Sequence, residues 1–480
     1  MSENNRQLVE PRSLKGLQDL LPEDLIPRKA VIQTIETVFQ RFGFVPLETP
    51  ALEYLDVLLG TGGEETNKEL FRLESPEGEA IALRFDLTVP FARLLAQYPD
   101  RLKAPVRRYA LGSVWRADKP GPGRFRQFTQ FDVDIAGAES VAADGEIVGV
   151  MCGVMAALGV PEYRAVINNR RLIDAMLEGL GITEAAPQKH VLRVIDKLQK
   201  VGVDNIRKEL GEGRIDDSGD PIPGVHLDAE TIDRLLAFIA VTGATRGEVV
   251  ENLAKALPKS EAATRALDEM RELDAALQAL GVSETEAVFD PSLARGLDYY
   301  TGPVYEMILP NARQFGSVMG GGRYDQLVER FMERSITCTG MAVGLDRLVA
   351  ALTQLGLVPK AKTTVQALVV TMGNVPKSES LRVAKELRDA GINAEVYLGA
   401  KANMKAQMSH ADRWEIPVAV IVGEDEIAKG VVSVKDLLAG KQQRENIENR
   451  EEYRKAGRTG QVTVERAEMV KTVLEVLGQG

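Results

Sequence analysis

Hydrophobic and polar positions change period several times along the chain, and each change marks an element. Val31, Ile35, Val38, Phe39 and Phe42 recur at helical spacing. Asp24 is placed to cap that helix, Pro27 sits in its first turn, and Gly43 supplies the stop. A short strand, Phe44 to Glu48, then runs into Pro50. From about 80 to 140 the text becomes strand-like, in IALRFDLTV, VRRYALGSVW and RQFTQFDVDIAG. Gly121, Pro122 and Gly123 lie between the last two and predict a hairpin loop.

Residues from about 170 to 285 return to helical periods. RLIDAMLEGLG, VLRVIDKLQKVG, IDRLLAFIA and TRALDEMRELDAALQALG are broken by GDPIPG at 219–224, which predicts a helical insertion. Strand-like text resumes in LDYYTGPVYEMIL and GSVMGGGRYDQLVERF, before a long helix starting near Gly344. Pro359 to Thr364 reads as a linker. Beyond it VQALVVTMG, SLRVAKELRDAG, NAEVYLG, a helix near Met404 to Arg413, IPVAVIVG and VVSVKDL alternate strand and helix. The pattern predicts an α+β domain on an antiparallel sheet over residues 1–355, then a smaller α/β domain over 362–480.

Composition narrows the function. The chain of 480 residues is long enough for two to four domains, and 44% hydrophobic with 27% charged residues excludes collagen-like and disordered classes. A net charge of −11 argues against a protein that coats nucleic acid without selectivity. That charge is unevenly shared: residues 361–480 hold 18 Lys+Arg against 17 Asp+Glu, leaving −12 on the remainder. Cys152 and Cys338 support no disulfide framework, and His190, His226 and His410 are too far apart for a local metal motif, so no metal site is expected. The opening MSENNRQLVEP is polar, and Ile147 to Val160 is too short for a bilayer. A cytoplasmic protein without membrane attachment is expected.

The common nucleotide signatures, GxxxxGK[ST] and a post-strand GxGxxG, are missing. A bound nucleotide would therefore sit on an antiparallel sheet. In RQFTQFDVDIAG, Thr129, Phe131, Val133 and Ile135 point one way and Phe128, Gln130, Asp132 and Asp134 the other. Alternation alone predicts a half-buried strand with a wet polar face. Nearby lie Arg116, Arg124 and Arg126, with Asp86 and Thr88 on one face of RFDLT. Guanidinium forks suit phosphate oxygens, whereas carboxylates and amides suit an ammonium group. Taken singly, each arginine reads as a surface charge; together they suit a zwitterion beside a polyphosphate. LARGLDYYTG brings Arg295, Asp298, Tyr299 and Tyr300, and GMAVGLDRL puts Arg347 in the first turn of a helix entered at Gly344.

LKGLQDLLPED, LRFDLTVPFAR, VWRADKPGPGRFRQFTQFDVDIAG, LARGLDYYTG, GGGRYD and GMAVGLDRL together resemble the histidyl-tRNA synthetase family of class II aminoacyl-tRNA synthetases. The HIGH and KMSKS strings of the other synthetase class are absent. The resemblance covers most of the chain. It implies a class II catalytic domain with a helical insertion and a C-terminal anticodon-binding-like domain.

The resemblance also implies an activity: ATP and L-histidine form histidyl-adenylate, and the 3′ end of tRNA(His) accepts the histidine. Arg116 and Arg295 would be the catalytic cations, both also touching histidine. Asp86, Thr88 and Gln130 would hold its α-amino group, while Asp134, Tyr299, Tyr300 and Tyr324 would read the imidazole. Arg116, Arg124, Phe128 and Arg347 would bind ATP, with Mg²⁺ on the phosphates. The first helix and the strand ending at Pro50 would build a homodimer interface. Asp118 stands where the class carries Glu two residues after the motif arginine. The competing reading is a synthetase-like regulatory subunit of ATP phosphoribosyltransferase. That paralogue usually lacks the C-terminal domain and part of the motif set, both present here.

Overall fold

The computed structural model describes residues 8–60, 67–121, 123–216, 219–294, 299–358, 360–399, 403–442 and 460–478. The chain divides into two compact units, residues 1–19 with 31–358 and residues 20–30 with 359–480.

The first unit is built on eight strands: β1 (Val45–Pro46), β2 (Val106–Trp115), β3 (Gln127–Ala136), β4 (Arg164–Asn169), β5 (Ala287–Phe289), β6 (Pro303–Ile308), β7 (Ser317–Arg323) and β8 (Cys338–Gly344). Their spatial order is β1-β2-β3-β8-β7-β6-β4-β5. The inner pairings are antiparallel. The outer pairs, β1 with β2 and β4 with β5, are parallel. Long connections separate the partners of those outer pairs, as parallel pairing requires.

Helix α1 spans Pro22–Arg41. It therefore begins before Asp24, which lies in the first turn with Glu23 rather than capping it, and Pro27 falls inside the helix. Pro22 at the first position needs no N–H partner, which lets the helix start there. Further corrections concern length. IALRFDLTV is strand only over Ala80–Leu83, because Thr88 already opens helix α2 (Thr88–Gln97). The helix after Gly344, Leu345–Gln354, has ten residues.

One face of β3 turns Phe131, Val133 and Ile135 into a core with Val31, Ile35, Val38 and Phe39 of α1. Ile147, Val150, Met151 and Val154 of α3 (Ala142–Ala157) complete that layer. Phe39 meets Phe131 edge-on with ring centres 4.8 Å apart. Each such side chain contributes about 1.5–3 kcal/mol by leaving water. The other face of β3 is also covered, which overturns the expected wet face: Gln130, Asp132 and Asp134 are 6%, 1% and 2% exposed. Leu87, at the entry to α2, packs with Ala110 and Val114 of β2 and with Phe128 above that polar row.

Between β4 and β5 lie α4 (Arg170–Gly179), the helices Ala185–Ile195, Val203–Leu210, Ala229–Ile239 and Arg246–Ala256, and α5 (Glu261–Ala279). Asp228, Thr245 and Ser260 cap three of them, each accepting a main-chain N–H three residues on. GDPIPG belongs to a two-stranded hairpin that pairs Gly213–Ile215 with Pro221–Pro223.

The second unit carries β9 (Ala367–Thr371), β10 (Ala394–Val396), β11 (Val418–Val422), β12 (Val431–Asp436) and β13 (Gln461–Glu465), ordered β10-β9-β11-β12-β13. Pairings of β9 are parallel, and those of β12 antiparallel. Helices α6 (Lys377–Asp389), α7 (Met404–Trp414) and α8 (Met469–Val476) accompany them. Strand β13 and helix α8 had no counterpart in the periodicity reading. Among the described residues, no helix is long and apolar enough to cross a membrane.

Candidate active site

The polar row of β3 gains its neighbours from strand register. Hairpin pairing sets Arg108 of β2 opposite Asp134, Ala110 opposite Asp132 and Gly112 opposite Gln130. On the other side, β8 sets Gly340, Ala342 and Gly344 against the same three residues. Arg108 Nη2 lies 2.7 Å from Asp134 Oδ2 and donates to the Leu87 carbonyl at 3.0 Å. Its guanidinium also sits 4.4 Å from the centre of the Phe91 ring. This one cation ties β3 to the start of α2.

Gly340 makes room for Asp134. A Cβ there would stand 2.0 Å from Asp134 Oδ1 and 2.6 Å from the Val133 carbonyl oxygen. A further Asp134 contact comes from just beyond β7, where the Tyr324 hydroxyl donates to Oδ1. Tyr299 packs 6.1 Å from Tyr324 and 4.9 Å from Tyr300, both edge-on. Asp86 serves a different purpose: Oδ1 accepts the main-chain N–H groups of Thr88 and Val89, opening α2. Asp86 and Thr88 thus meet at a helix start, not along a strand.

Burial raises the carboxyl pKa of Asp86, Asp132 and Asp134, and raises Asp132 well above its ordinary value. Arg108 opposes that shift at Asp134 and Asp132. Burial likewise keeps the Tyr299 and Tyr324 phenols neutral. Gln130 Oε1 and Asp132 Oδ1 are buried on this face without a hydrogen bond among the described residues, Asp134 Oδ2 has only the Arg108 ion pair, and Arg108 Nε is itself without a partner there. A face with more carboxylates than cations and two unmet acceptors fits a cationic, N–H-rich group.

Arg116 adds the opposite chemistry. Its guanidinium lies between two rings, 4.1 Å from Phe85 and 5.1 Å from Phe128, and Nε donates to the Phe85 carbonyl at 3.2 Å. Asp346 Oδ2 accepts the Thr129 N–H at 2.7 Å, clamping the helix Leu345–Gln354 onto β3. The next residue, Arg347, donates from Nη1 to the Ser317 carbonyl at 2.7 Å. A Cβ on Gly123 would stand 3.9 Å from Arg347 Cα, so the hairpin tip lies beside that arginine. Arg124 is exposed on this hairpin.

The fold therefore joins Asp134 to Tyr324, Tyr324 to Tyr299, Tyr299 to Tyr300 and Arg116 to Phe128. Tyr300 additionally lines a polar cleft with Arg170, Arg171, Asp174, Thr301 and Asp325. Arg295 and Asp298 lie outside the described residues. Sequence reasoning missed Arg108, Asp132 as a site residue, and Gly340. A signal for Arg108 existed: a hairpin centred on Gly121 pairs it with Asp134.

The family model described as Histidyl-tRNA synthetase matches residues 16–348, and that described as Anticodon binding domain matches residues 366–475. Histidine–tRNA ligase of Caulobacter vibrioides is 41% identical, covering 98% of this chain and 97% of its own. The Paracoccus denitrificans ligase is 41% identical over 100% of both. The crystal structure of histidyl-tRNA synthetase from Nostoc sp. PCC 7120 superposes with a TM-score of 0.81 at 28% identity, covering 98% of this chain and 100% of that one. With a family model over most of its length and full-length relatives at 41% identity, the chain belongs to the histidyl-tRNA synthetase family.

Proposed function

We propose that the polar face of β2, β3 and β8 activates L-histidine with ATP and that the product histidyl group passes to tRNA(His). The carrying observation is the side-by-side placement of an acidic row with unmet acceptors and the Arg116 guanidinium, in a chain 41% identical to histidine–tRNA ligases over its full length. An ammonium group belongs on the first and an anion on the second.

In this reading Asp86, Thr88 and Gln130 hold the α-ammonium group. Asp134, Tyr299, Tyr300 and Tyr324 read the imidazole, whose neutral form needs one donor and one acceptor. Phe128 stacks on adenine with Arg347 on its other face, and Arg124 and Arg347 hold the outer phosphates. Arg116 and Arg295 neutralise charge as the histidine carboxylate attacks the α-phosphorus in line and pyrophosphate departs. Catalysis is then positioning with electrostatic stabilisation. Mg²⁺ arrives on the ATP phosphates as part of the substrate. The ribose hydroxyl at the tRNA 3′ end next attacks the adenylate carbonyl, releasing AMP.

The reading assigns activation to residues 1–355 and tRNA selection to 362–480, in a cytoplasmic homodimer. A synthetase-like regulatory subunit is less well supported, because the full-length relatives are ligases and residues 366–475 match the anticodon-binding family. Amino-acid-dependent ATP–pyrophosphate exchange, run with each of the twenty amino acids, tests the proposal. Exchange with histidine alone is expected. A folded protein that binds histidine without exchange would overturn the enzyme reading.

A further inference from the structure

The proposed function gives work to Asp86, Gln130 and Asp134 but leaves Asp132 without any. Asp132 lies between Gln130 and Asp134 on the same face of β3 and is 1% exposed. Its register partners are both alanines, Ala110 on β2 and Ala342 on β8, so neither neighbouring strand offers it a polar side chain at that level. Oδ1 accepts no hydrogen bond among the described residues. Asp134 has Arg108 and Tyr324, and Asp86 Oδ1 has two main-chain amides.

Charged and titratable groups face Asp132 from each surrounding element. Arg108 comes from β2, Arg116 from just beyond β2, Arg84 and Asp86 from the segment before α2, Tyr299 from the 299–302 segment, and Asp134 from its own strand. Each nearby arginine gives at least one donor to a main-chain carbonyl, although Arg108 Nε is buried without a hydrogen bond among the described residues. Arg84 donates to the carbonyls of Ser113 and Thr49, Arg108 to that of Leu87, and Arg116 to that of Phe85. A buried carboxyl so placed pays desolvation without a donor of its own. An incoming group with positive charge and several N–H donors reverses that penalty.

We propose that Asp132 is a specificity-determining residue of the amino-acid pocket, its carboxylate accepting an N–H from the substrate α-ammonium group beside Gln130 and Asp86. This inference rests on the histidine-activating reading. An ammonium offers three donors, and Asp132 adds a carboxylate to the acceptors Asp86, Thr88 and Gln130 already assigned to it. In the empty pocket burial raises the Asp132 carboxyl pKa, with Arg108 opposing the shift. Arrival of the ammonium favours the ionised carboxylate, and any proton it displaces goes to solvent.

The test compares histidine with imidazolepropionate, which keeps the imidazole and carboxylate but lacks the ammonium group. In Asp132→Asn the histidine KM for pyrophosphate exchange is expected to rise at least tenfold, with the ATP KM within twofold and imidazolepropionate inhibition unchanged. An unchanged histidine KM, or an equal loss of imidazolepropionate binding, would overturn the role. Should the variant fail to fold, calorimetry of the wild type in buffers of differing ionisation heat decides. Greater proton release with histidine than with imidazolepropionate supports the role, and equal release overturns it. Loss of the functional reading is distinguishable, since the wild type would then show no histidine-dependent exchange.

Discussion

Arg108 and Asp134 face each other across β2 and β3 with 2.7 Å between Nη2 and Oδ2, and both side chains are shut away from solvent. Removing one member of a buried pair strands the other. Arg108→Met is therefore expected to destabilise the protein by about 3–5 kcal/mol near neutral pH. Denaturant titration measures this. The loss is expected to shrink in acid, where Asp134 takes up a proton and no longer needs its cation. A loss that stays constant with pH would mean that packing over Phe91, rather than charge, is what Arg108 provides.

Gly340 is the second support of Asp134. An added methyl group would overlap the carboxylate at 2.0 Å and the Val133 carbonyl at 2.6 Å, so side chain and strand must both move. Gly340→Ala is expected to cost about 1–3 kcal/mol, the usual range for overpacking. It should also raise the histidine KM at least tenfold while the ATP KM stays near that of the wild type. A variant with normal histidine KM would show that Asp134 can be displaced without harm to recognition.

Asp132 gives a pH dependence of stability with a definite sign. Its folded-state pKa is raised by burial, so the native state binds more protons than the unfolded chain between the ordinary carboxyl pKa and the raised one. Ligand-free stability therefore falls as pH rises through that window. Asp132→Asn removes the titrating group, so the variant is expected to melt above the ligand-free wild type at neutral pH. The difference should fade towards pH 3. A variant melting below the wild type at neutral pH would show that ionised Asp132 is satisfied within the protein.

The same residues show what the sequence could reveal. The alternation in QFTQFDVDIA located β3 and sorted its two faces, because side-chain direction follows from a period of two. It could not show that the polar face is covered, since Leu87 and the tyrosines that close over it are distant in sequence. Charge on that face suggested water, and the structure answers with Arg108 and Tyr324 instead. The motif strings named Asp134, Tyr299, Tyr300 and Tyr324, but their spacing said nothing of the contacts that link them. Asp24 illustrates the local limit: three acceptable starting residues in PED leave the first turn of α1 ambiguous.

Gln407 allows the two units to be separated by experiment. From α7 its side-chain amide spans both main-chain groups of Thr371, the last residue of β9, donating to the carbonyl at 2.8 Å and accepting from the N–H at 2.9 Å. The side chain is fully buried, so no water replaces it. Gln407→Ala would leave a donor and an acceptor unmet, each costing about 1–3 kcal/mol. Hydrogen exchange is expected to quicken along β9 and β11 while β2 and β3 keep their protection. If activation belongs to the first unit, histidine-dependent pyrophosphate exchange should persist while tRNA charging falls severalfold. Gln407→Glu keeps the acceptor and is expected to lose less. A parallel fall in exchange and charging would mean that the activation chemistry depends on an intact second unit.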